Sequence, residues 1–296
     1  MNSDFITTYR ELLEWRPHTV RDRMKDIALR GLVFIDALTG ADIKFLDRPR
    51  IQFLYLHHVF KDEEQQLRSL LNKLSQHFEF ISYSDAVTKI LTGQVDKPYI
   101  CFSADDGLKN NLTAAAILNE YGAKACFFIN PGLIGEADYG KIKTYCRDVL
   151  DFPVSEFLGW DDVCTLLKDG HEIGGHSMHH MNIAATNPDE ISADMAETWN
   201  VLRQYCDLPK HFAFPYGRFF HFSEAGRKAV FDAGFISCAS AERGCHINPD
   251  RPLQPDELCI RRDHVVLDWG VDQIFHFINS NARKAAAHNN LFPTLQ

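Results

Sequence analysis

The feature that most constrains the fold is an alternation of short apolar runs with helical segments, which begins after Pro49 and continues almost to the end of the 296-residue chain. Apolar runs bounded by turn residues predict buried strands, and apolar residues at a 3.6-residue period predict helices. The predicted strands are 51–56, 99–102, 125–129, 171–174, 212–214 and 235–239, and the predicted helices are 62–78, 110–121, 160–168, 188–205, 224–233 and 271–284. This order predicts an α/β fold with a mostly parallel sheet, open or closed into a barrel.

Residues 1–48 differ from this pattern. Apolar residues at helical spacing, from Phe5 to Leu32, predict a largely helical segment that Pro17 and Gly31 interrupt. Its charges balance, so the whole net charge of −9 lies in the remainder of the chain. The predicted organisation is an N-terminal helical extension at 1–48, one barrel domain at 49–284 and a C-terminal tail at 285–296.

Net charge, apolar runs and cysteine spacing limit which partners and which cellular compartment we expect for this chain. An acidic chain with no basic block argues against nucleic acid as the main partner. We find no basic segment followed by an apolar signal region, and no apolar run near the ~20 residues that cross a bilayer. The eight cysteines are scattered without a Cys-x-x-Cys pair, which favours free buried thiols. We therefore expect a cytoplasmic protein without a transmembrane segment, and the oligomeric state stays open.

Two motifs carry metal-site chemistry. Asp105 and Asp106 follow the apolar run 99–102, and sites in parallel α/β folds form at the carboxyl ends of strands. His176 and His180 are four residues apart, so a helical turn after Gly175 would place both on one face and point His179 elsewhere. One carboxylate and two imidazoles make a three-ligand site for a divalent metal, and the second carboxylate is left as a general base. Solvated acids and a histidine-rich surface turn are the alternatives.

Two further motifs end strands at the same predicted edge. His57 and His58 follow strand 51–56, where either could contribute to the site or be a structural histidine. Strand 212–214 runs into Pro215, Tyr216 and a glycine, a turn that could aim a backbone N–H into the site. An ordinary strand exit is the alternative reading of this turn.

These four motifs, in this order, resemble those of the polysaccharide deacetylase family, also called the NodB-homology or carbohydrate esterase family 4 group. Ser-Ala-Asp-Asp-Gly at 103–107 stands where the family usually has Thr-Phe-Asp-Asp-Gly, and His-Ser-Met-His-His at 176–180 keeps its His-Ser/Thr-x-x-His motif. Phe-Ala-Phe-Pro-Tyr-Gly at 212–217 is similar to a subgroup with Phe-Ala-Tyr-Pro-Tyr-Gly. The resemblance covers roughly 50–280 and implies a distorted (β/α) barrel of about seven strands, with 49–284 as the NodB-homology domain.

The resemblance also implies residue roles. Asp106, His176 and His180 would bind a divalent metal, with Zn²⁺ as the first expectation and Fe, Co, Ni or Mn also admitted by mixed carboxylate and imidazole ligands. Asp105 would be the general base, the Tyr216 N–H would stabilise the oxyanion, and His57, or else His58, would be the general acid. The residues expected to support them are Pro215, Arg262, Asp263 and His264, with Arg262 or Asp263 bracing the base.

The implied activity is removal of an N-acetyl group from an amino sugar, in a polysaccharide or a glycan precursor. Two other functions stay open on the sequence. One is hydrolysis of another amide, such as a cyclic amide, because the family's late Asp and Trp motif is not recognisable. Asp268 and Trp269 are the residue types of that motif, but their spacing differs from it. The other is a catalytically inactive barrel that acts as a binding module.

Overall fold

A single sheet of almost wholly parallel pairs organises the structure, a computed structural model that describes residues 5–40, 45–206 and 209–295. Predictions for 1–4, 41–44, 207–208 and 296 lie outside the described residues. The strands are β1 (Arg50–Leu56), β2 (Glu79–Phe80), β3 (Pro98–Ala104), β4 (Ala125–Ile129), β5 (Glu172–Gly175), β6 (His211–Ala213), β7 (Ser237–Ala239), β8 (Cys259–Ile260) and β9 (Arg262–His264).

Helices connect most of these strands and cover the outside of the sheet. They are α1 (Tyr9–Trp15), α2 (Val20–Thr39), α3 (Glu64–Leu74), α4 (Tyr83–Thr92), α5 (Asn111–Glu120), α6 (Tyr139–Asp148), α7 (Trp160–Lys168), α8 (Pro188–Leu202), α9 (Glu224–Ala233) and α10 (Val271–Lys284). In α3, for example, the leucines at positions 67, 70, 71 and 74 are buried against the sheet, which follows the 3.6-residue period.

The sheet nearly closes into a barrel. Its strand order is β8-β7-β6-β5-β4-β3-β1-β9, and β2 pairs with β3 beside this path. Because only Arg261 separates β8 from β9, one run of chain pairs with β7 on one side and β1 on the other. We refer to this run, 259–264, as the closing segment. The predicted (β/α) barrel is confirmed, with eight strands on the path instead of about seven because the closing segment is counted twice.

The parallel register fixes where the strands end. Leu56 of β1 lies opposite Ala104 of β3, and the N–H of Asp105 donates to the Leu56 carbonyl at 3.0 Å. His57 and Asp105 therefore leave the sheet at the same edge, next to one another. Buried strand interiors, such as the fully buried β4, leave this edge as the place where polar side chains gather.

The N-terminal residues are helical where the structure describes them, as predicted, because α1 and α2 account for most of 5–40. The N–H groups of Tyr9 and Arg10, at the start of α1, donate to the Asp62 carboxylate at 2.7 and 3.2 Å. Among the described residues, no helix is long and apolar enough to span a membrane. The division of the chain at 48 and 284 stays a prediction.

Candidate metal and catalytic site

Most of the predicted site residues meet in one pocket of about 370 Å³ at the carboxyl edge of the sheet. Those lining it are His57, His58, Asp105, Asp106, His176, His180, Tyr216 and His264. Pro215, Arg262 and Asp263 do not line it, although Arg262 contacts a residue that does. The pocket wall also includes residues that the sequence analysis did not single out, namely Arg16, Tyr55, Asp151 and Phe152.

Asp106, His176 and His180 form a buried three-residue cluster. The Nε2 atoms of His176 and His180 lie 3.5 and 3.6 Å from Oδ1 of Asp106. One ligand atom from each residue lies within 4.8 Å of the others. The predicted metal ligands are thus brought together, with their donor atoms converging on one point.

The donor chemistry of this cluster fits a divalent cation. Oδ1 of Asp106 is buried and accepts no hydrogen bond among the described residues, a costly state for a carboxylate oxygen. Nδ1 of His176 lies 2.6 Å from the Ala213 carbonyl, so an Nδ1–H donates there and the lone pair of Nε2 faces Asp106. Burial raises the pKa of Asp106, but the neighbouring imidazoles of His176, His180 and His57 outweigh it, so the pKa is lowered and the carboxylate stays charged.

The predicted helical turn over the two histidines is wrong. Ser177 and His180 both have left-handed backbone, with φ of 58° each, and 177–179 form a turn without helix. A left-handed residue at each end folds the segment back, so His176 and His180 still face one point while His179 is exposed, as expected. The Gly-Gly lead-in does permit close approach, because a Cβ on Gly174 would lie 2.5 Å from the Phe128 ring.

Backbone strain concentrates around this pocket. Among the described residues, five that are not glycine have positive φ, and such conformations persist only where the surroundings enforce them. They are Asp106, Asp151, Ser177, His180 and Tyr216. Four of the five line the pocket and Ser177 lies between two of the clustered histidines. These strained backbone conformations therefore lower the stability of the fold at this edge of the sheet.

Asp105 is held by a buried arginine from the closing segment. Nη1 and Nη2 of Arg262 donate to Oδ1 and Oδ2 of Asp105 at 2.7 and 2.9 Å, and Arg262 is fully buried. A two-pronged pair of this kind fixes the plane of the carboxylate. Of the two residues predicted to brace the base, Arg262 is the one in contact. Asp263 points to the other side of β9, where Gln52 and Asn281 donate to it and burial raises its pKa to about 6.

His57 faces a second histidine. Its Nδ1 lies 3.0 Å from Nε2 of His264, whose ring is stacked on Tyr55 with centroids 4.8 Å apart. Burial lowers the pKa of both imidazoles, although Asp106 and Asp105 act in the opposite direction on His57. Because Nδ1 of His57 is engaged by His264, Nε2 is the nitrogen left for a ligand in the pocket.

His58 is engaged on the wall of the pocket. Its Nδ1 lies 3.0 Å from Oε2 of buried Glu63, and its ring is stacked on Phe60 with centroids 4.7 Å apart. These contacts hold the ring against residues 60–63. His57 and His58 therefore both have Nδ1 engaged, His57 by a histidine and His58 by a carboxylate, and the choice between them stays a prediction.

Tyr216 presents its backbone to the pocket. It follows buried Phe214 and Pro215 and has a φ of 61°. Within the described part of the chain, its N–H makes no hydrogen bond. Its ring packs on His180 with centroids 4.6 Å apart.

The N-terminal extension also reaches the pocket. No local pattern in the sequence predicts this contact. The Arg16 guanidinium, just after α1, pairs with the Asp151 carboxylate across the pocket rim. Both side chains are largely exposed, so this pair adds little stability. It does connect the extension to the loop that follows α6 and so narrows the mouth of the pocket.

Comparison with known proteins places this geometry in context. Residues 92–235 match the polysaccharide deacetylase family. The matched range contains Asp105, Asp106 and the 176–180 turn, and it ends before the closing segment. The matched range is 144 of the 296 residues, just under half of the chain. No curated protein sequence matches the chain.

Several solved structures share the fold at low sequence identity. IcaB from Ammonifex degensii is 16% identical with a TM-score of 0.61, over 79% of this chain and 97% of that one. The Streptococcus pyogenes deacetylase PplD, solved with acetate, is 15% identical with a TM-score of 0.61, over 77% and 97%. A polysaccharide deacetylase from Bacillus cereus is 14% identical with a TM-score of 0.60, over 78% and 69%. At these identities the likeness establishes the barrel alone.

Proposed function

We propose that this protein is a metal-dependent hydrolase that removes the N-acetyl group from an amino sugar. The observation that carries the proposal is the buried Asp106 Oδ1, which has no hydrogen-bond partner among the residues that the structure describes and faces the Nε2 atoms of two histidines. The family match over 92–235 supports deacetylase chemistry. The third motif, 212–217, further suggests the subgroup with Phe-Ala-Tyr-Pro-Tyr-Gly.

Asp106, His176 and His180 would hold the metal. Zn²⁺ suits two imidazoles and a carboxylate, and Fe, Co, Ni and Mn are also compatible. Bound there, the cation would polarise the amide carbonyl and lower the pKa of a water molecule. The remaining steps belong to side chains and backbone of the protein.

Asp105 would take the proton from the attacking water. Arg262 holds both carboxylate oxygens, so the base cannot turn away, and each oxygen keeps a second lone pair for the proton. The Tyr216 N–H would donate to the former carbonyl oxygen, which becomes an oxyanion when the water adds to the carbonyl carbon. Both groups leave the sheet at the same edge as the ligand cluster.

His57 would give a proton to the departing amine. An amide nitrogen leaves poorly until it is protonated, so an acid is required opposite the base. With Nδ1 directed at His264, a doubly protonated His57 presents Nε2–H to the pocket. Burial lowers the pKa of His57, which makes its imidazolium a strong donor.

Release of acetate by Zn²⁺-loaded protein tests the proposal. The substrates are acetamido sugars offered free, nucleotide-linked and as polymers, so that one screen separates polymer from precursor as substrate. Asp105→Asn should bind one metal per chain yet lose nearly all turnover, while Asp106→Asn should lose the metal. Asp232→Asn, an exposed carboxylate paired with Lys228, is the matched control and should match native rates.

Other results would redirect the proposal. Bound metal without acetate release, but with ring opening of cyclic amides, would favour the second amide chemistry. Protein that binds no divalent metal and releases no acetate would be a binding module. If Asp105→Asn kept native turnover, the role given to Asp105 would be wrong.

A further inference from the structure

Helix α2 carries its apolar residues on the side that faces away from the barrel. Val20, Met24, Ile27, Phe34 and Leu38 lie along one side of the helix, and all are exposed; Ile27 is 70% and Leu38 is 71% accessible. Ile35, beside them, is also exposed. We refer to these six residues, with Gly31, as the α2 stripe. A contiguous apolar surface of this kind marks an interaction site.

The opposite side of α2 is the one that contacts the domain, and besides the half-buried Leu29 and Val33 it carries two acids that bond to α10. Asp26 accepts from Nε2 of Gln273 at 2.8 Å, and Asp36, the buried residue of this helix, pairs with His276 of α10. Amphipathic helices normally bury their apolar side. Because these polar contacts fix the orientation of α2, the stripe cannot turn inward without breaking them.

The spacing of the stripe indicates what covers it. Positions 20, 24, 27, 31, 34 and 38 are separated by four, three, four, three and four residues, a heptad pattern with a 3.5-residue period. That period is the one at which two helices stay in contact along their length. The stripe therefore has the form of a helix-pairing surface.

Gly31 is a second, independent observation. It lies in the middle of α2, where glycine costs stability relative to alanine. Within the described ranges, a Cβ at this position would meet nothing within 4 Å, so none of the described residues requires glycine here. Close approach of another helix at the centre of the stripe would account for it.

We propose that the α2 stripe is a dimer interface, occupied by the α2 stripe of a second copy in antiparallel orientation. A two-fold axis at Gly31 sets Met24 of one copy opposite Leu38 of the other, and Ile27 opposite Ile35. The stripe is thus complementary to itself, as an isologous interface requires. The glycines of the two copies meet at the axis, where the backbones approach most closely.

The exposed area of the α2 stripe is large enough for an interface with a second copy of the chain. Six side chains that are half to three-quarters exposed leave on the order of 700 Å² per copy, close to the ~800 Å² per partner of a standard interface. A lipid surface fits less well. Outside the stripe, α2 has four basic and three acidic side chains, which gives almost no attraction to anionic lipid, and the chain carries −9 overall.

Molar mass in solution tests the proposal. We expect native protein to elute near twice 33.8 kDa by size-exclusion chromatography with light scattering. Ile27→Glu and Phe34→Glu should elute as monomers, with unchanged circular dichroism. Lys25→Gln is the matched control, because it also changes the charge by one unit but lies across the helix from the stripe, and it should remain dimeric.

Two further variants test the interface without placing a charge in the stripe. Gly31→Ala should raise the dissociation constant at least tenfold while leaving the monomer folded. Gly31→Cys should form a disulfide-linked dimer under mild oxidation, whereas Lys25→Cys should not. Native protein that is monomeric at high concentration would overturn the proposal. If that monomer also bound vesicles of phosphatidylglycerol, the stripe would be assigned to lipid instead. Dimers that survive Ile27→Glu would also overturn it.

Discussion

The pair between Arg262 and Asp105 gives the sharpest test of how the closing segment supports the site. Arg262→Met removes the guanidinium and keeps most of the side-chain length. It leaves the Asp105 carboxylate buried without its two donors, and the carbonyl of Ser240 loses the donor that lies 2.9 Å away. Breaking a buried ion pair from one side costs about 3–5 kcal/mol.

Asp105→Asn should be similarly destabilising, because it leaves the buried guanidinium without a counter-charge. The double variant removes both charges, so we expect it to be at least ~2 kcal/mol more stable than the sum of the single variants predicts. Urea unfolding at pH 7 measures all four proteins of this cycle. Arg251→Met, which breaks an exposed pair with Glu257, is the control and should cost less than ~1 kcal/mol.

The same variants separate stability from chemistry. Arg262→Met should retain metal, since Asp106 and the two histidines are untouched, and should lose turnover because the plane of Asp105 is no longer fixed. A coupling energy below ~0.5 kcal/mol would refute the reasoning, because the two side chains would then be acting independently. Full activity in Arg262→Met would refute the positioning role.

Three other changes have defined outcomes. His57→Gln should keep metal content by elemental analysis but lower acetate release at least ~100-fold, and a native rate would remove His57 as the acid. Gly174→Ala places a Cβ 2.7 Å from the His211 carbonyl, so thermal unfolding should show a loss of about 1–3 kcal/mol, and a native melting temperature would contradict the close approach. His246 is buried between Asn290 and a backbone N–H, and burial lowers its pKa to about 4, below the ~6.5 of an unfolded chain. Its neutral form is favoured in the fold, so its contribution is complete above pH 6.5 and about 3 kcal/mol is lost as the pH falls to 4; His246→Gln should flatten that part of the pH–stability curve.

Much of the fold follows from local pattern. The boundaries of β4, α7, α9 and α10 agree with those predicted, because each has a clear period and flanking turn residues. Helices α4 and α6 were missed. In α6 only Ile142, Tyr145 and Cys146 are buried, which leaves a weak apolar signal. The two residues of β8 and three of β9 are too short for any period to appear.

Site residues that lie within one sequence motif could be predicted. Contacts between two segments that are far apart in sequence could not. Asp105 and Asp106 follow a strand in a recognisable run. The pairing of His57 with His264 depends on the register that sets Tyr55 of β1 beside His264 of β9, and register between strands so far apart in sequence has no local signature. The 176–180 turn was predicted to be helical because the spacing of its histidines permits a helix, whereas the left-handed residues at 177 and 180 arise from the surrounding packing.

The closing segment has a consequence for the order of events in synthesis. It leaves the ribosome after the other strands of the sheet, and it supplies both the guanidinium that binds Asp105 and the imidazole that contacts His57. Asp106, His176 and His180 all precede it in the chain. Under the proposed function, the candidate metal ligands would therefore be synthesised before the groups that position Asp105 and His57, and the chemistry would be enabled only when the first and last strands of the sheet meet.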